Sequence, residues 1–396
     1  VSRSRRIVQS TRSAVAHFLA TEASGGIFLL VATALALVWA NVGLGYESFW
    51  HREFPLAGIE KDLQHWVNDG LMTIFFFVVG LEIKREIVAG ELQDARVAIL
   101  PTAAAVGGMA VPALVFLAIS GGGGAAKGWA IPMATDIAFV VGALALMGSR
   151  VPEGLRIFLL TLAIVDDIGA IVVIALFYSR GIEPLWIAAA VWAISVVLFL
   201  RLLRISHPLA YVIPGFVAWA SMLASGVHPT LAGVALGLLT PAVPVGGRMV
   251  LENLERWLHP LSSHVIVPIF ALANAGLLLT AESVRDAVSS RVFWAVVGGL
   301  VVGKTAGVAG LSWLTLRLRI GRMPGGISVR DLVGGASLAG IGFTVSLFIA
   351  GLAFERGPLA DQARLGIMAG SLVSAAAGAI VLLVRRPDPE RVTGER

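Results

Sequence analysis

The stretch LAIVDDIGAI, residues 162–171, sets two adjacent aspartates at the centre of an apolar run that extends over 155–178. A helix needs about 20 apolar residues to cross the hydrocarbon core of a bilayer. An acidic side chain at the centre of such a helix costs about 2.5–3.5 kcal/mol on insertion scales. The rest of the chain decides whether this run is a membrane span. Of 396 residues, 57% are hydrophobic and only 14% are charged, against roughly 25% charged in soluble domains. That shortfall excludes disorder and argues against a soluble enzyme. The absence of Cys excludes disulfide frameworks and thiolate metal sites.

Working outward, apolar runs fall near 24–44, 67–83, 96–120, 128–148, 155–178, 185–204, 208–224, 227–243, 260–279, 292–316, 331–354 and 364–384. The fold class is therefore an all-α polytopic membrane protein of about twelve transmembrane helices, one integral membrane domain over 1–396 without a soluble domain or long linker. The net charge of +5 comes from 26 Arg and 4 Lys scattered between the runs. This pattern suits loop anchors and not a nucleic-acid surface. With both termini on one side, the segments of that side hold 21 Lys and Arg and the opposite loops hold 8. The positive-inside rule places both termini in the cytoplasm. Arg3, Arg5, Arg6 and Arg12 read as a retained basic tail ending in an interfacial helix over 12–22, not as a signal peptide. The largest outer loop, 45–66, carries Tyr46, Phe49, Trp50, Phe54 and Ile59 around a Pro55-Leu56-Ala57-Gly58 turn. It reads either as a β-hairpin or as an irregular interfacial loop.

Four ionisable residues sit near span centres: Asp136, Asp166, Asp167 and Lys304. Together they cost about 10–14 kcal/mol. A salt-bridge cluster that only orients helices would balance its charges. Three acids against one base leave carboxylate in excess, and buried carboxylate binds protons or a cation. Neighbours on a helix point about 100° apart, so Asp166 and Asp167 can border one water-filled cavity. Two like charges held close cannot both ionise cheaply. The pair is expected to take up protons as a coupled unit, or one hard cation on the same oxygens.

Asp136 lies in ATDIAF (134–139), just beyond Pro132, which marks a helix discontinuity. The run 331–354 holds Gly334, Gly335, Gly340, Gly342 and Gly351 with Thr344 and Ser346, a second interruption. Two broken helices crossing at mid-membrane bring four dipole ends together. Asp136 can neutralise helix N-termini there and Lys304 C-termini. Gly298, Gly299, Gly303 and Gly307 read as close-packing positions. GGLVVGKT (298–305) matches a phosphate-loop pattern but lacks the preceding strand and aqueous setting such a loop needs, so no nucleotide cofactor is expected.

A second ionisable group gathers at cytoplasmic ends. It comprises Glu82, Lys84, Arg85 and Glu86 in GLEIKRE (80–86), with Glu252, Glu255, Arg256 and His259. It reads as a solvated rim with snorkelling bases. His228 in SGVHPTLAG (225–233) serves either in pH sensing or in capping and packing. No nucleophile–base arrangement and no zinc-type spacing occurs, so an enzyme is not expected.

ATDIAF, LAIVDDIGAI, VVGKTAG (301–307), GIGFTVSLFIAGLAF (340–354), GLEIKRE, SGVHPTLAG and ASGGIFLL (23–30) span nearly the whole chain. In that combination the sequence resembles the bacterial NhaA family of Na+/H+ antiporters. The resemblance implies two intertwined inverted repeats with the fourth and eleventh helices interrupted and crossing, an architecture of which this family is itself an established example. It implies electrogenic exchange of one Na+ or Li+ for two protons across the inner membrane, switched on at alkaline pH. Asp166 and Asp167 would bind the cation and protons, Asp167 more centrally. Thr135 and Asp136 would lie at the crossing, with Thr135 among the cation ligands and Asp136 compensating dipoles. Lys304 would pair with Asp166. Glu82, Glu86 and Glu255 would belong to the pH response, alongside His228. Arg256 stands where members of the family have His, which implies a different pH response. The 45–66 loop matches the family's dimer region but is shorter, and implies a homodimer. A symporter of an organic solute would need a larger polar pocket, and a channel would need symmetric pore rings.

Overall fold

A computed structural model describes residues 24–384 except 44, 56–59, 180, 206, 208, 245–248, 324 and 326. The expected interfacial helix over 12–22 lies outside the described residues. Helices appear in chain order as α1 Ser24–Asn41, α2 Tyr46–Trp50, α3 Met72–Ala89, α4 Ala95–Ser120, α5 Ile137–Met147 and α6 Glu153–Phe177. They continue as α7 Pro184–Leu202, α8 Leu209–Ser225, α9 Thr230–Leu239, α10 Val250–Leu261, α11 Val267–Asn274 and α12 Ala281–Ser289. The last are α13 Arg291–Arg317, α14 Val329–Leu338, α15 Phe343–Ala353 and α16 Pro358–Leu383.

Six of these are long and apolar enough to cross a membrane: α1, α4, α6, α7, α13 and α16; counting each of two bent pairs as one span gives eight. The remaining expected spans fall on α3, α8, α9 and α10–α11. Of these, α3 carries Glu82, Lys84, Arg85 and Glu86 near its end. The α8 and α9 helices are short. The α10–α11 rod is interrupted by a π-helical turn, Ser262–Ile266.

The bent pairs have local causes. Between Gly123 and Met133 the chain forms only 3₁₀ turns, with Pro132 in the second of them. It then runs extended to Asp136 and restarts as α5 at a bend of 44°. The α14 and α15 segments meet at 45° across Ala339–Gly342. Glycine is required there by proximity: a Cβ on Gly342 would lie 2.8 Å from the Ala134 carbonyl oxygen and 3.0 Å from Leu300.

Lipid provides little hydrophobic drive between helices, so close packing must do the work. The α4–α13 seam uses glycine for this. Gly107 and Gly307 meet backbone to backbone, and a Cβ on Gly303 would sit 2.7 Å from Pro112. Gly299 rests against Pro132 in the same way, so the seam fixes Lys304 relative to the first broken helix. The α3–α9 pair repeats the device at Gly80 and Gly237. By contrast, α7 presents Leu185, Trp192, Phe199 and Leu202 outward, as a lipid-facing helix does.

The 45–66 loop contains the five-residue helix α2 and one antiparallel bridge, Glu53–Asp62, where its described part would otherwise hold a run of strand. Tyr46 is buried in this loop beside Trp39 and Trp50. Its hydroxyl donates to the Leu272 carbonyl at 2.8 Å, which fastens the loop to the end of α11.

Candidate functional site

The two aspartates of α6 are both buried, Asp166 at 0% and Asp167 at 7% exposure. They point to different surroundings. Asp166 Oδ2 accepts from Lys304 Nζ at 2.5 Å and from Thr135 Oγ1 at 2.6 Å. Its other oxygen, Oδ1, has no hydrogen-bond partner among the described residues. Asp167 instead lines a cavity of about 60 Å³ together with Thr135, Asp136, Thr344, Glu82 and His259. That volume holds a few waters or a partly hydrated ion.

The two helix breaks meet beside this cavity. The Asp136 backbone N–H donates to the Ile341 carbonyl at 2.6 Å. Its side chain caps its own helix, accepting from Phe139 N at 3.2 Å, and also the start of α15, accepting from Thr344 N at 2.8 Å and Thr344 Oγ1 at 2.5 Å. One carboxylate therefore faces two helix N-termini, where negative charge is favoured. The C-terminal ends are met by donors. Lys304 Nζ donates to the Met133 carbonyl, and the single Thr135 hydroxyl proton is shared between Asp166 and the Ala339 carbonyl, 2.9 Å from Oγ1. The structure thus brings Asp136, Thr135, Asp166, Asp167 and Lys304 together from three separate parts of the chain.

The rim differs from the solvated loop expected for it. Glu82, Glu86 and Glu255 are 7%, 9% and 8% exposed. The cause is α10, which packs across the end of α3. Its buried face is Leu251, Glu255 and His259, an i, i+4, i+8 stripe that the sequence does display. Glu255 pairs with Arg85, His259 Nε2 lies 3.4 Å from Glu82 Oε1, and Glu86 accepts from the Glu91 N–H at 2.8 Å. His259, first read as part of a solvated end, lines the same cavity as Asp167.

His228 does not join this group. It lies at the opposite end of the bundle, 2.8 Å from Thr230 Oγ1 and 3.7 Å from Asp69 Oδ1, with its ring against Phe348. The Met133 carbonyl, the second acceptor of Lys304, carries no side-chain signal by which a sequence could reveal it.

Apolar helices, two broken pairs and a buried, acid-rich site beside a small cavity define a multi-pass membrane transport protein. Comparison with known proteins gives the particular family. The family described as Na+/H+ antiporter 1 matches residues 16–382. The chain is 45% identical to a Na(+)/H(+) antiporter NhaA of Shewanella frigidimarina, over 97% of this chain and 98% of the relative. It is 44% identical to one of Rhodopirellula baltica, over 95% of each. To Na(+)/H(+) antiporter NhaA 3 of Frankia alni it is 43% identical, over 96% of this chain and 89% of the relative. The chain belongs to the NhaA family of Na+/H+ antiporters, which are ion transporters and not enzymes.

Proposed function

We propose that this protein exchanges Na+ or Li+ for protons across a bacterial inner membrane, two protons in for each cation out, with highest activity at alkaline pH. The observation that carries this reading is the division of labour between neighbouring carboxylates: Asp167 borders the cavity while Asp166 is held by Lys304 and Thr135. In this reading a cation entering past Glu82 and His259 meets Asp167 first. Asp166 and Thr135 complete an oxygen ligand set when the carboxylate turns from Lys304. Protons compete for the same oxygens, so filling the site with one species expels the other. Asp136 keeps its charge as the compensator of two helix N-termini. Two protons against one cation move one net charge, which couples transport to membrane potential at about 2.3 kcal/mol per 100 mV.

The finer organisation follows the same reading: twelve crossings, both termini in the cytoplasm, and a homodimer joined through 45–66, whose Phe49 and Phe54 are 45% and 51% exposed. Glu82 beside His259, Glu255 paired with Arg85, and Glu86 tune the pH response, with His228 acting from the opposite side. A cavity of about 60 Å³ favours an ion over the organic solute of a symporter. The test is dequenching of a pH-sensitive dye in vesicles with an imposed pH gradient, on adding Na+ or Li+. Dequenching that requires an organic solute, or none with either cation, would overturn the proposal.

A further inference from the structure

A cluster of aromatic rings lies one helical turn from the wall of the cavity beside Asp167, a wall that itself includes Phe75. The same wall includes Val79 of α3, Val267 of α11 and Val345 of α15. Three residues beyond each of these, towards the side with few Lys and Arg, stands a buried phenylalanine: Phe76, Phe270 and Phe348. Their ring centroids converge on Phe348, 5.3 Å from Phe76 and 6.2 Å from Phe270. The His228 ring closes edge-on from above at 5.1 Å. Beyond it the surroundings turn polar at once, with Asp69, Asn68 and Asn274. The rings thus stand between the part of the cavity wall at Val79, Val267 and Val345 and these polar groups. Ions and protons need hydration or hydrogen-bonded partners, and the rings offer neither.

The three rings are not mounted alike. Phe76 and Phe270 ride on helices bound to one another at their outer ends. Asn68 and Asn274 exchange amide hydrogen bonds at 2.8 and 3.2 Å, and Gln64 donates to the Ala273 carbonyl at 2.9 Å. Asn41 of α1 separately holds the segment just past the end of α11 through a pair of 2.7 Å bonds to Leu277 and Leu279. Phe348 rides on the half-helix α15. The start of that half-helix is held by Asp136 through Thr344, and its next turn by the Ser346 hydroxyl donating to the Ile131 carbonyl at 2.7 Å. The Thr344 anchor lies on the cavity wall itself, one helical turn below the ring. A change of charge in the cavity thus acts on α15 directly, while the other two rings stay fixed to each other.

We propose that Phe348 is the outer gate of the transport pathway: its ring closes the cavity against the fixed pair Phe76 and Phe270, and leaves that seat when the site opens outward. This rests on the antiport reading for its purpose, but its test does not depend on antiport. The chain contains no Cys, so Val345→Cys introduces a single thiol on the cavity wall. In right-side-out membrane vesicles, an impermeant methanethiosulfonate reagent added outside should label this thiol slowly. Adding Phe348→Ala should raise that rate about tenfold or more, as expected when a minor open population becomes a substantial one. It should also produce a proton leak that needs no Na+. Phe348→Leu, which keeps bulk and folds more safely, should raise the rate by less. Reagent admitted to the inside should label all three proteins equally, which reports an intact cavity. Outside labelling that stays slow in both Phe348 variants while inside labelling is normal would overturn the gate. A parent protein that shows no Na+-driven proton flux, yet whose labelling responds to Phe348→Ala, would instead remove the antiport reading and leave the gate standing.

Discussion

Lys304 Nζ donates to Asp166 Oδ2 at 2.5 Å in a site where both side chains are fully buried. The other oxygen of that carboxylate has no partner among the described residues. The pair therefore satisfies only one of the two carboxylate oxygens. Lys304 is further held by the Met133 carbonyl, so its charge serves a helix end as well as an aspartate. Removing one partner of a buried ion pair costs roughly 3–5 kcal/mol. Lys304→Ala should lower the melting temperature in detergent markedly and abolish or alter transport. An unchanged melting temperature would mean that the ammonium makes no structural pair.

Asp167→Asn should abolish exchange while leaving insertion and thermal stability near normal. The substitution removes charge with little change of volume, and Asp167 faces the cavity instead of a salt bridge. Asp166→Asn should be nearly as severe for transport, but it also leaves Lys304 without its anion, so it should destabilise as well. The contrast is the test: substantial Na+-driven proton flux through correctly inserted Asp167→Asn would remove Asp167 from the site.

Asp136 accepts three hydrogen bonds from the starts of two helices. Loss of one N-cap costs about 0.5–2 kcal/mol. Asp136→Ala should therefore destabilise by roughly 1–4 kcal/mol, twice that range, while Asp136→Asn should retain part of the capping and lose the charge. Thermal melting of the two variants side by side would decide. Equal melting of Asp136→Ala and the parent would show that the caps contribute nothing.

How much of this was legible in the sequence depended on the chemistry of each position. LAIVDDIGAI could be read because charge in an apolar run is costly wherever the run packs. The breaks could be read because Pro132 and the glycines of 340–342 limit what the backbone can do. The rim was misread for a physical reason. Glu82 and Glu86 sit at the end of a span, and nothing local says that α10 will cover them; only the 251, 255, 259 stripe hints at it. The Lys304–Met133 contact involves a backbone carbonyl, which every residue has. The ring layer at Phe348 depended on three helices distant in sequence, each contributing one ordinary apolar residue.

At the end of the bundle away from Glu82 and His259, Asp62 fastens the 45–66 loop. It accepts from the His65 N–H at 2.8 Å, from the His65 ring at 2.6 Å and from Arg356 at 2.8 Å. Burial pushes its carboxyl up, but these donors outweigh burial and hold it below the ordinary value. A carboxyl lowered on folding contributes stability above its unfolded value of about 3.9, and that contribution fades as pH falls through the lower, folded value. Asp62→Asn should thus melt below the parent at neutral pH, and the difference should close in acid below about pH 3.9. Coincident melting at neutral pH would show that the clasp has no effect.

The pH dependence of cation binding tests the carboxylate pair most directly. If Na+ and protons compete for Asp166 and Asp167, apparent Na+ affinity must fall as pH falls through the pair's coupled titration. The slope of log affinity against pH approaches two when both carboxylates must be deprotonated, and one when a single proton is displaced. The buried rim enters differently. Glu82 lies 3.4 Å from His259 and lines the cavity, but it is not beside Lys304. Glu82→Gln should therefore shift the pH profile or lower the maximal rate while preserving the slope. Na+ affinity and maximal rate measured from about pH 6.5 to 9 in parent and variant would separate the two roles. A Na+ affinity that does not change with pH would sink competition at the aspartates. A Glu82→Gln profile that overlays the parent would leave competition standing and remove Glu82 from the pH response.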